Sequence, residues 1–349
     1  MHKTIYLLLL CVIVMFGVAT AYAAQTSVID PAVARIAYLE DKVANLESAV
    51  QNGCMDSCMD DCMSCCGPRL CGNPGLIGGY DFLWLSPHFS NGVAYQVVDS
   101  VAPVSVWTAH GYPTDYNMAP RFWLGYQGYN GLGVRVRYQQ FDQPILSQIL
   151  TTDATRTVFF DGVSATGGET LAIQAGMELH VLDVDFTKDF NVCCAQVTVG
   201  AGLRYGKLLF DYGALRTDSV SPLATIGQNT FEGIGPSAFI DFKAPIRQSR
   251  LSVIGDLRGS VLFGRRRIER LTVGTDPISV DASIARINSS TGVIDAALGL
   301  QYDRCLTRGV DGFIRVAWEG QLWMDVGSPT YSGGDMAMQG LCIGVGFNR

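Results

Sequence analysis

The sequence has few charged residues, no excess of positive charge and, beyond its first residues, no long hydrophobic run. Only 16% of its 349 residues are Asp, Glu, Lys or Arg. No stretch after the first twenty-odd residues reaches about 18 consecutive apolar residues, the length of a membrane-spanning helix. The formal net charge is −7, whereas nucleic-acid binding needs a concentrated basic surface. The sequence therefore predicts neither a helical membrane protein nor a nucleic-acid-binding protein.

Histidine is also scarce, which limits acid–base catalysis and metal binding. The chain has four, and His88 and His110 fall in a predicted loop near Asp115. No serine or acidic group accompanies them in a pattern typical of a hydrolase. We predict that the protein is not an enzyme and that it uses neither a metal ion nor a cofactor.

Residues 1–23 have the features of a secretion signal. Lys3 precedes a continuous apolar stretch from Ile5 to Val18, and Ala21-Tyr22-Ala23 is an A-x-A cleavage site. We predict cleavage after Ala23 and export to an oxidising compartment.

From about residue 75 the chain alternates apolar and polar side chains with a period of two. In the clearest run, Leu132, Val134 and Val136 point one way and Arg135 and Arg137 the other. A strand between lipid and a wet interior alternates in this way. Ten such runs occur near residues 77–86, 119–127, 132–141, 171–187, 195–211, 231–242, 251–263, 291–302, 312–324 and 336–348.

The segments between these runs alternate in length. The long ones are 87–118, 142–170, 212–230, 264–290 and 325–335, and the short ones are 128–131, 188–194, 243–250 and 303–311. Outer-membrane barrels combine long external loops, short periplasmic turns and an even strand number. We therefore predict an all-β fold over residues 75–349: a closed antiparallel transmembrane β-barrel of about ten strands in outer-membrane lipid, with eight or twelve strands as alternatives.

Short motifs in this region resemble a known family. Gly78-Gly79-Tyr80-Asp81-Phe82-Leu83-Trp84, His180-Val181-Leu182-Asp183-Val184-Asp185-Phe186 and the terminal Gly344-Val345-Gly346-Phe347 are similar to Legionella-type major outer-membrane proteins, which have relatives in planctomycete-like bacteria. The resemblance covers about residues 75 to 349. It implies a barrel that forms water-filled pores and can be cross-linked by disulfides.

The polar faces of the runs carry charged residues that we predict to line the interior. They are Arg121, Arg135, Arg137, Asp183, Asp185, Arg204, Asp241, Asp256, Arg258, Asp295, Arg315 and Glu319. In one interpretation they line a porin-like channel for ions or small hydrophilic solutes. In the alternative they pair across a narrow lumen and close it, which gives a non-conducting structural barrel that anchors the envelope. A surface adhesin is a third possibility.

Residues 24–53 are predicted to form a periplasmic coiled-coil helix. Apolar residues recur at heptad spacing in Ile29, Ile36, Leu39, Val43, Leu46 and Val50. Basic and acidic residues flank this seam at positions that pair charges between parallel chains. The pattern favours a homo-oligomer, either a dimer or a trimer. A single amphipathic helix lying on the barrel is the alternative.

Cysteines are dense in the next segment, residues 54–74. No histidine lies nearby and the spacing is not a repeated C-x2-C, so an exported chain favours disulfides over zinc there. The candidates are Cys54, Cys58, Cys62, Cys65, Cys66 and Cys71, together with Cys193, Cys194 and Cys305 on predicted periplasmic turns. They could link this segment to the turns, to neighbouring chains or to other envelope proteins.

Overall fold

A computed structural model describes residues 75–101, 104–192, 195–217, 222–246, 249–275, 278–307 and 310–348. The predicted signal peptide at 1–23, coiled-coil helix at 24–53 and Cys-rich segment at 54–74 lie outside these residues, as do Cys193 and Cys194. In the part of the chain that is described, no helix is long and apolar enough to cross a membrane.

Fourteen strands form the described part of the chain. In chain order they are β1 (Gly75–Phe89), β2 (Val93–Val101), β3 (Val104–Gly111), β4 (Asn117–Gln127), β5 (Leu132–Thr151), β6 (Arg156–Phe160), β7 (Val163–Ala165), β8 (Thr170–Val192), β9 (Ala195–Thr217), β10 (Leu223–Pro245), β11 (Leu251–Thr275), β12 (Ile278–Thr307), β13 (Val310–Trp323) and β14 (Met336–Asn348).

Ten of these strands close into an antiparallel barrel. Around the barrel the order is β1, β14, β13, β12, β11, β10, β9, β8, β5 and β4, and β4 pairs back with β1. Tyr80 on β1, for example, lies opposite Phe122 on one side and Val345 on the other. Closure gives every barrel strand two neighbours, which the lipid interior requires because no water is present to satisfy free backbone groups. The predicted ten-stranded barrel is confirmed.

Short turns gather at one end of the barrel, here named the turn end, and long connections at the other, the loop end. At the loop end, β2, β3, β6 and β7 form a separate four-stranded sheet in the order β3-β2-β6-β7. The long connections 87–118 and 142–170, which we expected to be loops, therefore contain these four strands. A hairpin hidden in the first long segment joins this sheet and leaves the barrel count at ten.

The long connections 212–230 and 264–290 consist mostly of strand as well. β9 pairs with β10 up to Arg216 and Leu223, and β11 pairs with β12 up to Thr275 and Ile278. These strands continue past the level of the lipid, where charged residues such as Arg265 and Arg267 interrupt the apolar outward face. The period-two signal weakens there, although the hydrogen-bonded ladder does not stop.

Outward side chains form an apolar belt around the barrel. On β11 the belt runs from Val253 to Phe263 on the outward face, with Leu257 and Val261 between them. Ten residues at about 3.3 Å each, tilted by about 40°, span about 25 Å, the height of the apolar band of an outer-membrane barrel. Outward aromatic side chains such as Phe122 and Tyr126 are exposed in this belt.

Candidate functional site: the barrel interior

The alternation of the strands brings the predicted charged residues to the inside of the barrel. All twelve occupy inward positions: Arg121 on β4, Arg135 and Arg137 on β5, Asp183 and Asp185 on β8, Arg204 on β9, Asp241 on β10, Asp256 and Arg258 on β11, Asp295 on β12, and Arg315 and Glu319 on β13. Together with Asp81 on β1 they make up what we call the interior ion-pair network.

Asp183 is the centre of this network. Its carboxylate is fully buried and accepts hydrogen bonds from Arg137 Nε at 2.8 Å and from Arg204 Nε at 2.7 Å. Arg258 Nη1 lies 3.6 Å away. Three guanidinium groups therefore surround one carboxylate out of contact with water, where an unpaired charge would be very unfavourable.

A second carboxylate carries the network across the lumen. Asp295 on β12 accepts from Arg204 Nη2 at 2.5 Å and from Arg137 Nη2 at 3.2 Å. Arg137 belongs to β5, which is five places from β12 in the ring of ten strands. The two strands are thus diametrically opposite, and their side chains meet. The lumen is spanned by ion-paired side chains at this level.

A neighbouring cluster closes the lumen on the side of β10 and β11. Arg258 donates to both oxygens of Asp185, at 3.0 and 2.7 Å, and Arg135 Nη1 donates to Asp241 at 2.8 Å. Both guanidinium groups lie over the ring of Phe239, with 4.2 Å from Arg135 and 4.5 Å from Arg258 to the ring centroid. Bidentate pairing and the aromatic face both favour arginine over lysine here.

A third cluster involves a residue that the sequence analysis missed. Asp81 is fully buried and accepts from Arg121 at 2.9 Å and from both Nε and Nη2 of Arg315, at 3.0 and 2.6 Å. Arg121 also donates to Glu319 at 2.7 Å. The alternation could have found Asp81, because it lies between the aromatic residues Tyr80 and Phe82 of the same strand.

The charges of the network nearly compensate one another. Six arginines face seven carboxyl groups, and Asp241 and Asp256 lie directly opposite each other on adjacent strands. Each arginine of the network donates to a carboxylate or lies within 4 Å of one. The interior therefore presents paired charges rather than a free positive or negative lining.

Toward the loop end, the lumen is filled by apolar side chains. Leu83, Phe141, Phe231, Leu262 and Trp323 face inward and are at most 1% exposed. They belong to one continuous buried cluster, here called the apolar core. This core was not predicted, because a period-two pattern with a polar inward face is absent where a strand is apolar on both sides.

The loop end carries a cavity of about 460 Å³ between the first hairpin and the last loop. Asp161 is one of the residues that line this cavity. Its backbone is in the left-handed region (φ 42°), which is rare for a residue other than glycine. Burial raises the pKa of the Asp161 carboxyl above its ordinary value. Burial also raises the pKa of nearby Tyr112 to about 12, and its hydroxyl hydrogen-bonds to Thr330 at 3.0 Å.

The three histidines among the described residues lie apart from the network. His88 is near Ser86 and His110 stacks on Tyr95, with 4.6 Å between ring centroids. His180 faces outward and hydrogen-bonds to Tyr138 at 2.7 Å and to Glu178 at 2.5 Å. Within the described ranges, no group of three or more His, Cys, Asp or Glu residues is placed to hold a metal ion. Cys305, predicted on a turn, lies instead within β12 and is exposed.

The closed barrel, its apolar belt and its charged interior define an outer-membrane β-barrel protein. Residues 71–348 match the family model described as Legionella pneumophila major outer membrane protein precursor. The match covers most of the chain, and the chain belongs to this family. The resemblance found in the sequence is thereby confirmed.

Other comparisons are more distant. No curated protein sequence matches the chain. Among solved structures, the outer membrane protease OmpT from Escherichia coli is 9% identical, with 78% of this chain and 95% of that chain covered and a TM-score of 0.40. The toluene transporter TodX of Pseudomonas putida is 9% identical, with 79% and 89% covered and a TM-score of 0.29. Neither likeness bears on function.

Proposed function

We propose that the protein is a structural barrel of the outer membrane whose lumen is closed in its resting state. The observation that carries this proposal is the contact between Arg137 and Asp295, which joins diametrically opposite strands at 3.2 Å. Side chains that meet across the centre obstruct the lumen at that level. Of the three functions expected from the sequence, the non-conducting barrel fits this geometry best.

Two barriers of different chemistry act in series. An ion entering from the turn end meets the interior ion-pair network, where it would have to displace arginines that already hold carboxylates. Beyond it lies the apolar core, where Trp323 and Phe231 are in contact with protein alone. A hydrated ion loses its water shell in such a region without any replacement, which is very unfavourable.

The porin-like channel is the second candidate. The family resemblance implies water-filled pores, and the side chains of Arg315 and Asp241 on the turn-end side keep 23% and 25% of their surface exposed. Water therefore reaches part of the network. A conducting form would require Arg137 and Arg204 to leave Asp295 and the apolar core to move aside. Such a rearrangement would produce a gated pore.

The remaining expectations from the sequence become parts of this proposal. We place the loop end outside the cell and the turn end, with the N-terminal segment, in the periplasm. The coiled-coil seam would join two or three copies, and the cysteines of residues 54–74 would cross-link them or attach envelope partners. The protein would have no catalytic role.

Gel mobility with and without reductant, after free thiols are blocked, tests the cross-links between chains. An unchanged band contradicts them.

A strain that lacks the protein tests the structural role. We expect such cells to leak periplasmic enzymes and to become sensitive to detergent, while the uptake of small hydrophilic solutes stays unchanged. Re-expression of the full chain should restore the envelope. Slower solute uptake by cells with an intact envelope would instead assign the protein to the pore-forming class.

A further inference from the structure

On several strands the apolar outward side chains end at a polar residue, and these polar residues form one hydrogen-bonded row across the barrel wall. On five neighbouring strands, the outward residue that follows the apolar ones is polar, and the row continues to β12. The row consists of Gln140, His180, Lys207, Glu232, Arg265 and Asn288, each directly opposite the next. On β11 the change is abrupt, from Phe263, 60% exposed, to Arg265. On β11 the acyl chains therefore give way to lipid headgroups between Phe263 and Arg265.

Three arginines cluster at this level on β11 and β12. Arg267 lies directly opposite Arg286 on the outward face, and Arg265 is diagonal to Arg286 because it pairs with Asn288. Opposed residues on one face have Cβ atoms about 5 Å apart, and diagonal ones about 7 Å. Like charges at such positions repel each other. The protein alone does not explain why arginines are gathered here.

The carboxylates around the cluster only partly compensate it. Glu269 accepts from Arg267, and Glu232 accepts a hydrogen bond from the Tyr205 hydroxyl at 2.8 Å. Among the described residues, Arg265 and Arg286 have no salt-bridge partner within 4 Å. Both are exposed. Two guanidinium groups are therefore available to an external anion on a surface that adjoins the apolar belt.

We infer that Arg265, Arg267 and Arg286 bind the phosphate of a lipid in the outer leaflet. Guanidinium groups bind phosphate by paired, charge-assisted hydrogen bonds. A phosphate bound there would relieve the repulsion between Arg267 and Arg286. The acyl chains of the same lipid would lie along the outward side chains of Val261 and Phe263. A lipid phosphate fits better than free phosphate because the site joins a cationic cluster directly to an apolar surface.

Native mass spectrometry of the full-length protein in a neutral detergent tests this inference, with diphosphoryl lipid A as the probe. The test variant combines Arg265→Gln, Arg267→Gln and Arg286→Gln. The control is Arg304→Gln, which removes an exposed arginine near the turn end of β12. We expect the triple variant to bind the lipid about tenfold more weakly and the control to bind like the parent. The matching triple lysine variant should recover part of the affinity.

Three results would overturn the inference. The first is equal binding by the triple glutamine variant and the parent, both verified as folded by their β circular dichroism. The second is equal binding of lipid A from which the phosphates have been removed. The third is displacement of the lipid by millimolar inorganic phosphate, which would define a site for the free anion.

Discussion

Asp183→Asn removes one negative charge from the centre of the interior ion-pair network and hardly changes its shape. Asp183 is fully buried and receives hydrogen bonds from Arg137 at 2.8 Å and Arg204 at 2.7 Å. Its loss leaves these arginines, and Arg258 at 3.6 Å, with one carboxylate fewer. Removal of one partner from a buried ion pair destabilises a protein by about 3–5 kcal/mol. We expect the free energy of unfolding to fall by about that amount.

Urea unfolding of the protein in phospholipid vesicles measures this loss. The matched control is Asp99→Asn, which breaks another Asp–Arg pair, between Asp99 and Arg156 at 2.8 Å on the loop-end sheet. Because the side chains of that pair are 40% and 48% exposed, water screens it and its loss should leave stability unchanged. If Asp183→Asn were no more destabilising than Asp99→Asn, the buried network would not hold the barrel together.

Two further predictions test other parts of the account. Leu298→Arg places a cation on the outward face of β12 within the apolar belt and should destabilise the barrel by about 2–4 kcal/mol in vesicle unfolding experiments. Val280→Arg, equally exposed on the same strand but beyond the belt, should have no such effect, and equal losses would misplace the belt. At the loop end, burial raises the pKa of Asp161, so the folded state binds this proton more tightly than the unfolded state. Stability should therefore fall as pH rises from the ordinary carboxyl pKa through the raised one. Asp161→Asn should remove that part of the pH dependence of thermal unfolding, and an unchanged dependence would refute the assignment.

The faces of the strands were predictable because a step of one residue turns a side chain to the opposite side of a sheet. Arg135 and Arg137 were assigned to the interior because they alternate with the apolar residues Val134 and Val136. The same rule would have placed Asp81 inside had it been applied to β1 residue by residue. The strand number followed from the count of ten period-two runs, and the alternation of long and short connections between them indicated an outer-membrane barrel.

The partners of the charged residues were not predictable from the sequence. Arg137 and Asp295 are 158 residues apart, and they meet because closure of the ring sets β5 opposite β12. The apolar core escaped prediction for a related reason. Trp323 and Phe231 face inward, but a barrel interior was expected to be wet, and only the narrow ten-stranded ring makes it dry.

Single-channel recording of the purified full-length protein in planar bilayers tests the closed lumen most directly. Because Arg137 and Asp295 meet across the centre and the apolar core lies beyond them, we expect no current steps at moderate voltage. Incorporation would be verified by recovery of the protein from the bilayer lipid. Steps of reproducible size from the unmodified protein would contradict the account.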